Sequence, residues 1–147
     1  MMIDSNNPLK DSEDLSLLNI IVKKYNDFAK SKLSGYNFTP NEISTMIYLL
    51  EENGIDTAKG ISTKFGVTQS LICRSVDSLT KRGIISVKTD SGDRRVNHLE
   101  IDLNDKKLLD ILTNLNSMYI EKMFEGIDPQ DEATFRRVLG QISENIR

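Results

Sequence analysis

The sequence is poor in the residues that build stapled, metal-bound or membrane-embedded proteins. It has one cysteine, Cys73, and one histidine, His98. A lone cysteine excludes an internal disulfide and points to a reducing compartment. One residue of each kind cannot assemble the usual transition-metal ligand set within one chain, so no metal and no other cofactor is expected. The longest unbroken apolar run is five residues, Met46 to Leu50, far short of a membrane span. The start, Met-Met-Ile-Asp-Ser-Asn-Asn-Pro, has neither the basic flank nor the apolar stretch of a secretory signal. What remains is a chain of 147 residues, 28% charged and 38% hydrophobic. It reads as a single cytoplasmic domain over 1–147, long enough to bury about two-thirds of its unfolded surface without a staple.

Charge is unevenly spread along the chain. The net value is −3, yet residues 57–100 hold eight basic residues against four acidic ones, leaving 11 and 18 elsewhere. A basic middle flanked by acidic ends is the footprint of a surface that meets an anionic partner.

Hydrophobic periodicity divides the chain into elements. Leu15, Leu18, Val22, Tyr25 and Phe28 recur every three or four positions and predict a helix over 15–33. Leu17, Ile20 and Ile21 widen its stripe, so it should bury against more than one surface. Thr39-Pro40-Asn41-Glu42 combines a capping hydroxyl, proline in the first turn and a carboxylate three residues after the cap. The helix it opens has Ile43, Met46, Ile47 and Leu50 inside and Gly54 as its stop. Ala58, Ile61 and Phe65 mark a short helix ending at Gly66. Thr68 can cap the next, with Ile72, Val76 and Leu79 inside, Lys81 and Arg82 in the last turn, and Gly83 at its close.

Only Gly66-Val67 separates those two helices, which forces a sharp crossing. The period then changes to two. Ile84–Lys88 reads as one strand, and Leu99, Ile101 and Leu103 alternate in a second, joined through the turn formers Thr89-Asp90-Ser91-Gly92. Two helices complete the chain. The first carries Leu108, Ile111, Leu112, Leu115 and Met118. The second opens at Asp128-Pro129 and carries Phe135, Val138, Leu139, Ile142 and Ile146.

The expected fold is therefore mainly α with a small β-hairpin wing: a winged helix-turn-helix over 39–103, flanked by helices over 12–34 and 105–147. A helix of this kind can enter the major groove of duplex DNA. Thr68, Gln69, Ser70, Cys73 and Arg74 fall on the side opposite Ile72, Val76 and Leu79. Gln69 can donate and accept together, which matches adenine, and Arg74 can fork onto guanine or grip a phosphate. Thr68 and Ser70 are short donors suited to phosphate oxygens. Asp93-Arg94-Arg95 lies at the hairpin tip, where Arg95 could enter a narrow minor groove while Asp93 holds its guanidinium.

The run Gly66-Val67-Thr68-Gln69-Ser70-Leu71-Ile72-Cys73-Arg74-Ser75-Val76-Asp77-Ser78-Leu79-Thr80-Lys81-Arg82-Gly83-Ile84-Ile85, followed by Asp93-Arg94-Arg95, resembles the MarR family of bacterial transcription regulators. The second segment matches that family's Asp-x-Arg wing signature. The resemblance implies a homodimer, built from the first helix and the last two, on a pseudo-palindromic operator. It also implies release by a small, often aromatic, anionic effector, for which Tyr25 and Tyr36 are the candidate pocket walls. Two departures stand out. Val87 occupies a place where relatives often carry arginine. The glycine usual before the fifth helix is absent from Ile101-Asp102-Leu103-Asn104-Asp105-Lys106-Lys107.

Leu15, Leu18, Phe135, Leu139, Ile142 and Ile146 are the candidate dimer contacts, an apolar stripe larger than a monomer of this length readily hides. Cys73 reads as a small contact residue rather than a redox sensor, since only Arg74 nearby favours a thiolate. No Ser-His-Asp or Cys-His spacing suggests a nucleophile, so the chain is not expected to be an enzyme. The leading reading is a repressor that binds double-stranded DNA as a homodimer and touches no membrane. Its rival is a winged helix that docks an acidic protein, which the acidic balance and Val87 favour and the Gln69–Arg74 pair opposes.

Overall fold

The structure, a computed structural model, describes residues 7–51 and 56–147. Among these residues six helices and two strands follow one another as α1 (Pro8–Lys32), α2 (Pro40–Leu50), α3 (Ala58–Phe65), α4 (Gln69–Lys81), β1 (Ile85–Thr89), β2 (Asn97–Ile101), α5 (Lys106–Met123) and α6 (Pro129–Asn145). They divide into two compact units, one ending at Leu115 and one running from Asn116 to Arg147. Gly54, expected to stop α2, lies outside the described residues. The described part of α2 ends at Leu50, before the extended backbone of Glu51.

In the first unit the predicted inner faces meet in one core. Ile43 and Met46 of α2, Ile61 of α3, Ile72, Val76 and Leu79 of α4, and Leu108, Leu112 and Leu115 of α5 are all buried. Ile85 and Leu99 bring the hairpin into the same core, and Ala29, Leu33 and Phe38 add the end of α1 and the loop after it. β1 and β2 pair antiparallel with Val87 opposite Leu99 and Lys88 opposite His98. β2 begins at Asn97, earlier than the alternation of Leu99, Ile101 and Leu103 suggests, and Leu103 lies past its end.

Local chemistry sets the helix boundaries. Thr39 Oγ1 accepts from the Glu42 N–H at 3.2 Å, and Thr57 Oγ1 accepts from Gly60 in the same way at 3.1 Å. α1 starts earlier than its apolar stripe suggests, because Asn7 caps it through the Leu9 N–H and Pro8 follows at the first position. α5 opens without a glycine: Asp105 Oδ1 accepts from the Leu108 N–H at 3.0 Å.

Between α3 and α4 the chain turns on Gly66, which has φ +63° and no strain there because it lacks a Cβ. The turn is tied down twice. Val67 N–H donates to the Ser62 carbonyl, and Ser62 Oγ donates back to the Val67 carbonyl at 2.6 Å. The angle between the two helices is thereby fixed by hydrogen bonds as well as by the core.

The second unit holds the end of α5 and all of α6. Phe124 and Phe135 meet edge to face at 5.5 Å, and Arg136 lies over the Phe124 ring while bonding Glu132. No residue of α6 is buried, and Phe135, Val138, Leu139, Ile142 and Ile146 are all exposed.

Candidate nucleic-acid interface

α4 is amphipathic in the manner its sequence predicts. Ile72, Ser75, Val76 and Leu79 face inward, whereas Thr68, Gln69, Ser70, Cys73 and Arg74 are exposed along the leading edge. The structure corrects one detail. Thr68 occupies the N-cap position with extended backbone, but its hydroxyl makes no capping hydrogen bond. Its carbonyl instead accepts from Leu71 and Ile72. The hydroxyl is thus not spent on the helix and stays beside the orphan amides of the first turn, a place that suits an anion.

The C-terminal end of α4 is held by contacts that lie far apart in sequence. Gly83, at φ +73°, lets the Ile84 N–H reach back to the Leu79 carbonyl at 2.9 Å. Arg82 then spans to the loop before α2. Its Nη2 donates to the Tyr36 carbonyl at 2.7 Å, and its guanidinium covers the Phe38 ring at 4.2 Å. Its Nη1 sits 4.0 Å from the buried Glu42 carboxylate. Tyr36 and Phe38 stack with ring centroids 5.6 Å apart.

The wing turn is a small hydrogen-bonded machine. Asp90 Oδ2 accepts from the Gly92 and Asp93 N–H groups, both at 2.9 Å. Asp93 Oδ1 accepts from the Arg95 N–H and from Nε, and Oδ2 from Nη2, at 3.0, 3.1 and 3.3 Å. Those bonds, the guanidinium first, hold the Asp93 carboxyl below the usual carboxylate range. Arg95 keeps 91% of its side chain exposed even so. It is therefore aimed and still fully available. Arg94 is also exposed, and Asp93 is half-buried. Val87 sits exposed on β1, where no charge replaces the arginine of relatives.

The contact between Asp56 and His98 carries no local sequence signal. Asp56, Asp90 and His98 come together although Asp56 and His98 lie on opposite sides of α4 in the chain. His98 Nδ1 lies 2.6 Å from Asp56 Oδ2, and Nε2 lies 2.8 Å from Asp90 Oδ1. Only a fold that lays β2 against the start of α3 makes that visible, as the Leu99 N–H does by donating to the Asp56 carbonyl at 2.7 Å.

Residues 36–96, from the α1–α2 loop to the wing turn just before β2, match the family model described as MarR family. That segment is similar to the winged helix of the MarR family. Solved structures agree on the fold. The chain is similar to MarR itself (22% identity, 99% of this chain and 95% of that one covered, TM-score 0.74). A MarR transcriptional regulator from Methanosarcina mazei Go1 gives 18% identity, 91% and 96% coverage and TM-score 0.78. CouR from Rhodococcus jostii RHA1, solved bound to p-coumaroyl-CoA, gives 22% identity, 89% and 92% coverage and TM-score 0.73. At these identities the likeness to solved structures speaks to the fold alone, which is the mainly helical, six-helix MarR arrangement with a two-stranded wing.

The two candidate effector residues are both partly buried in the first unit but differently engaged. Burial pushes the Tyr25 phenol above its ordinary pKa. Tyr36 donates its hydroxyl to Asp105 Oδ2 at 2.9 Å, and that bond, with some desolvation, raises its pKa too. A cavity of about 450 Å³ is lined by Lys30, Leu33, Ser34, Gly35, Asn37 and Phe38, and neither tyrosine is among those residues. No helix among the described residues is long and apolar enough to cross a membrane.

Proposed function

We propose that this chain is a homodimeric, sequence-specific DNA-binding transcriptional regulator, a repressor that a small ligand releases in the cytoplasm. The observation that carries this reading is the exposed edge of α4. Gln69 and Arg74 stand clear of the fold while Ile72, Val76 and Leu79 anchor the same helix in the core. In this reading Thr68 and Ser70 meet phosphates, Gln69, Cys73 and Arg74 meet base edges, and Arg95 with Arg94 reaches the neighbouring minor groove. A second copy covers the apolar rows on α1 and α6, and the pair places two reading helices one helical turn apart.

Ligand release has a physical route. The cavity beside Leu33 and Phe38 adjoins the residues that Arg82 grips, so a small anion drawn by Lys30 would press on Phe38 and through Arg82 on the end of α4. Tyr25 and Tyr36 are the phenols nearest to that loop in the chain, and CouR with its bound acyl-CoA is a similar protein that holds an organic anion. Capture of an acidic protein instead of DNA is the outcome that would replace this reading.

The test is fluorescence anisotropy of the purified protein on a palindromic duplex, measured across a salt series. Arg95→Ala is expected to weaken binding and to lower the slope of log affinity against log salt by about 0.9 for each monomer. An unchanged slope would remove the wing from the interface.

A further inference from the structure

We propose that His98 is a positioning residue for Arg95, and that its imidazolium, bridging Asp56 and Asp90, fastens the wing turn to the start of α3. This rests on the DNA-binding reading above and assigns a part to a residue outside the proposed contacts. The bonds form one unbroken chain. Asp56, just before the cap of α3, meets His98 Nδ1, and His98 Nε2 meets Asp90 Oδ1. Asp90 Oδ2 then holds the amides of Gly92 and Asp93, and Asp93 holds the Arg95 guanidinium. A wing arginine would otherwise swing with a two-stranded hairpin that is marginal by itself.

The bridge needs a particular proton count. A carboxylate only accepts, so two carboxylates on one ring require an N–H on both nitrogens. Neutral imidazole has one N–H; its other nitrogen would point a lone pair at a carboxylate less than 3 Å away, and one end of the bridge would open. The surroundings favour the charged ring. Lys88 stands opposite on β1, and it is itself paired with Glu100 two residues along β2. Asp90 and then Asp56 raise the His98 pKa above its ordinary 6.5, against a smaller opposing effect of desolvation. His98 in turn is the first cause that holds Asp90 below the carboxylate range. The sign follows directly: the bridge is complete at and below about pH 6.5 and is lost as pH rises through the elevated value.

Because the chain has a single histidine, one imidazole signal in the NMR spectrum of the full-length protein reports this titration without assignment. The signal is expected to titrate above 6.5 in the free protein and to move back toward 6.5 in Asp56→Asn. Wild-type affinity for the palindromic duplex is expected to fall on the order of tenfold from about pH 6 to about pH 9, the effect of a one-unit pKa difference between free and bound protein. His98→Gln should bind with a flat profile. Asp56→Asn should also flatten it, since an amide can donate to the neutral ring nitrogen and keep the bridge closed at high pH. An ordinary pKa, or the same pH profile in wild type and His98→Gln, would overturn the proposal and leave the regulator intact. Failure of every protein to bind any duplex at any pH would overturn the regulator reading, and the positioning role would fall with it.

Discussion

Arg74→Ala is expected to produce the largest loss of operator affinity of any single substitution on the reading helix. A well-formed two-pronged contact to guanine is worth about 1–3 kcal/mol. A dimer makes it twice, so the combined loss is about 2–6 kcal/mol, or about thirty-fold to about 10⁴-fold in Kd. Arg74 is exposed and away from the core, so thermal stability should stay within about 0.5 kcal/mol of wild type. Separate titrations on the operator and on a scrambled duplex distinguish the two roles open to this side chain. If Arg74 reads guanine, affinity for the operator collapses while scrambled duplex is bound almost as before. If it grips a phosphate, both fall together. Unchanged binding to both would remove Arg74 from the interface.

The second large effect concerns assembly. α1 exposes Leu15, Leu17, Leu18, Ile20 and Val22, and α6 with its C-cap exposes Phe135, Val138, Leu139, Ile142 and Ile146. Single exposed leucines need no explanation, but two continuous apolar rows do. In the proposed dimer each is a helix face that the second copy covers, and Leu18 and Leu139 are both close to half exposed. The double substitution Leu18→Glu with Leu139→Glu puts a carboxylate into each row. Sedimentation at micromolar concentration is expected to show a wild-type dimer and a folded monomeric variant. Because linking two half-site contacts multiplies affinity by about 10² to 10⁴, the monomer should lose that factor on the intact operator. Retention of the dimer in the double variant would place the interface elsewhere.

The reading helix was legible in the sequence because every signal for it is local. Ile72, Val76 and Leu79 repeat at helical spacing, Gly66 and Gly83 bracket the element, and the polar residues fall on the remaining side. The same holds for the Asp93–Arg95 pair, whose partners stand two residues apart. Contacts between distant residues were not legible. Nothing in the neighbourhood of His98 announces Asp56, and nothing around Arg82 announces Phe38 or the Tyr36 carbonyl; only the packed fold brings them within reach. Arg82 looked like a cation placed for the helix dipole, and its reach into the α1–α2 loop is what the structure adds.

Other differences come from signals that compete. The Asn7-Pro8 pair is a sound helix start, but it stands ahead of the apolar stripe from Leu15 by which the helix was recognised. Thr68 has the right identity and place for a cap, yet its hydroxyl leaves the helix unbonded. Asp105 marks the start of α5 by accepting from the Leu108 N–H, a contact across three residues that the sequence reading passed over.

The most direct measurement is selection of bound duplexes from a random pool by the purified wild-type protein, with Gln69→Ala/Arg74→Ala treated alongside. The wild type is expected to enrich a pseudo-palindrome whose half-sites lie about 10 base pairs apart, and the double variant to lose that enrichment. A pool that stays random with wild-type protein, or the same consensus recovered by both proteins, would contradict the claim that the outer edge of α4 reads DNA.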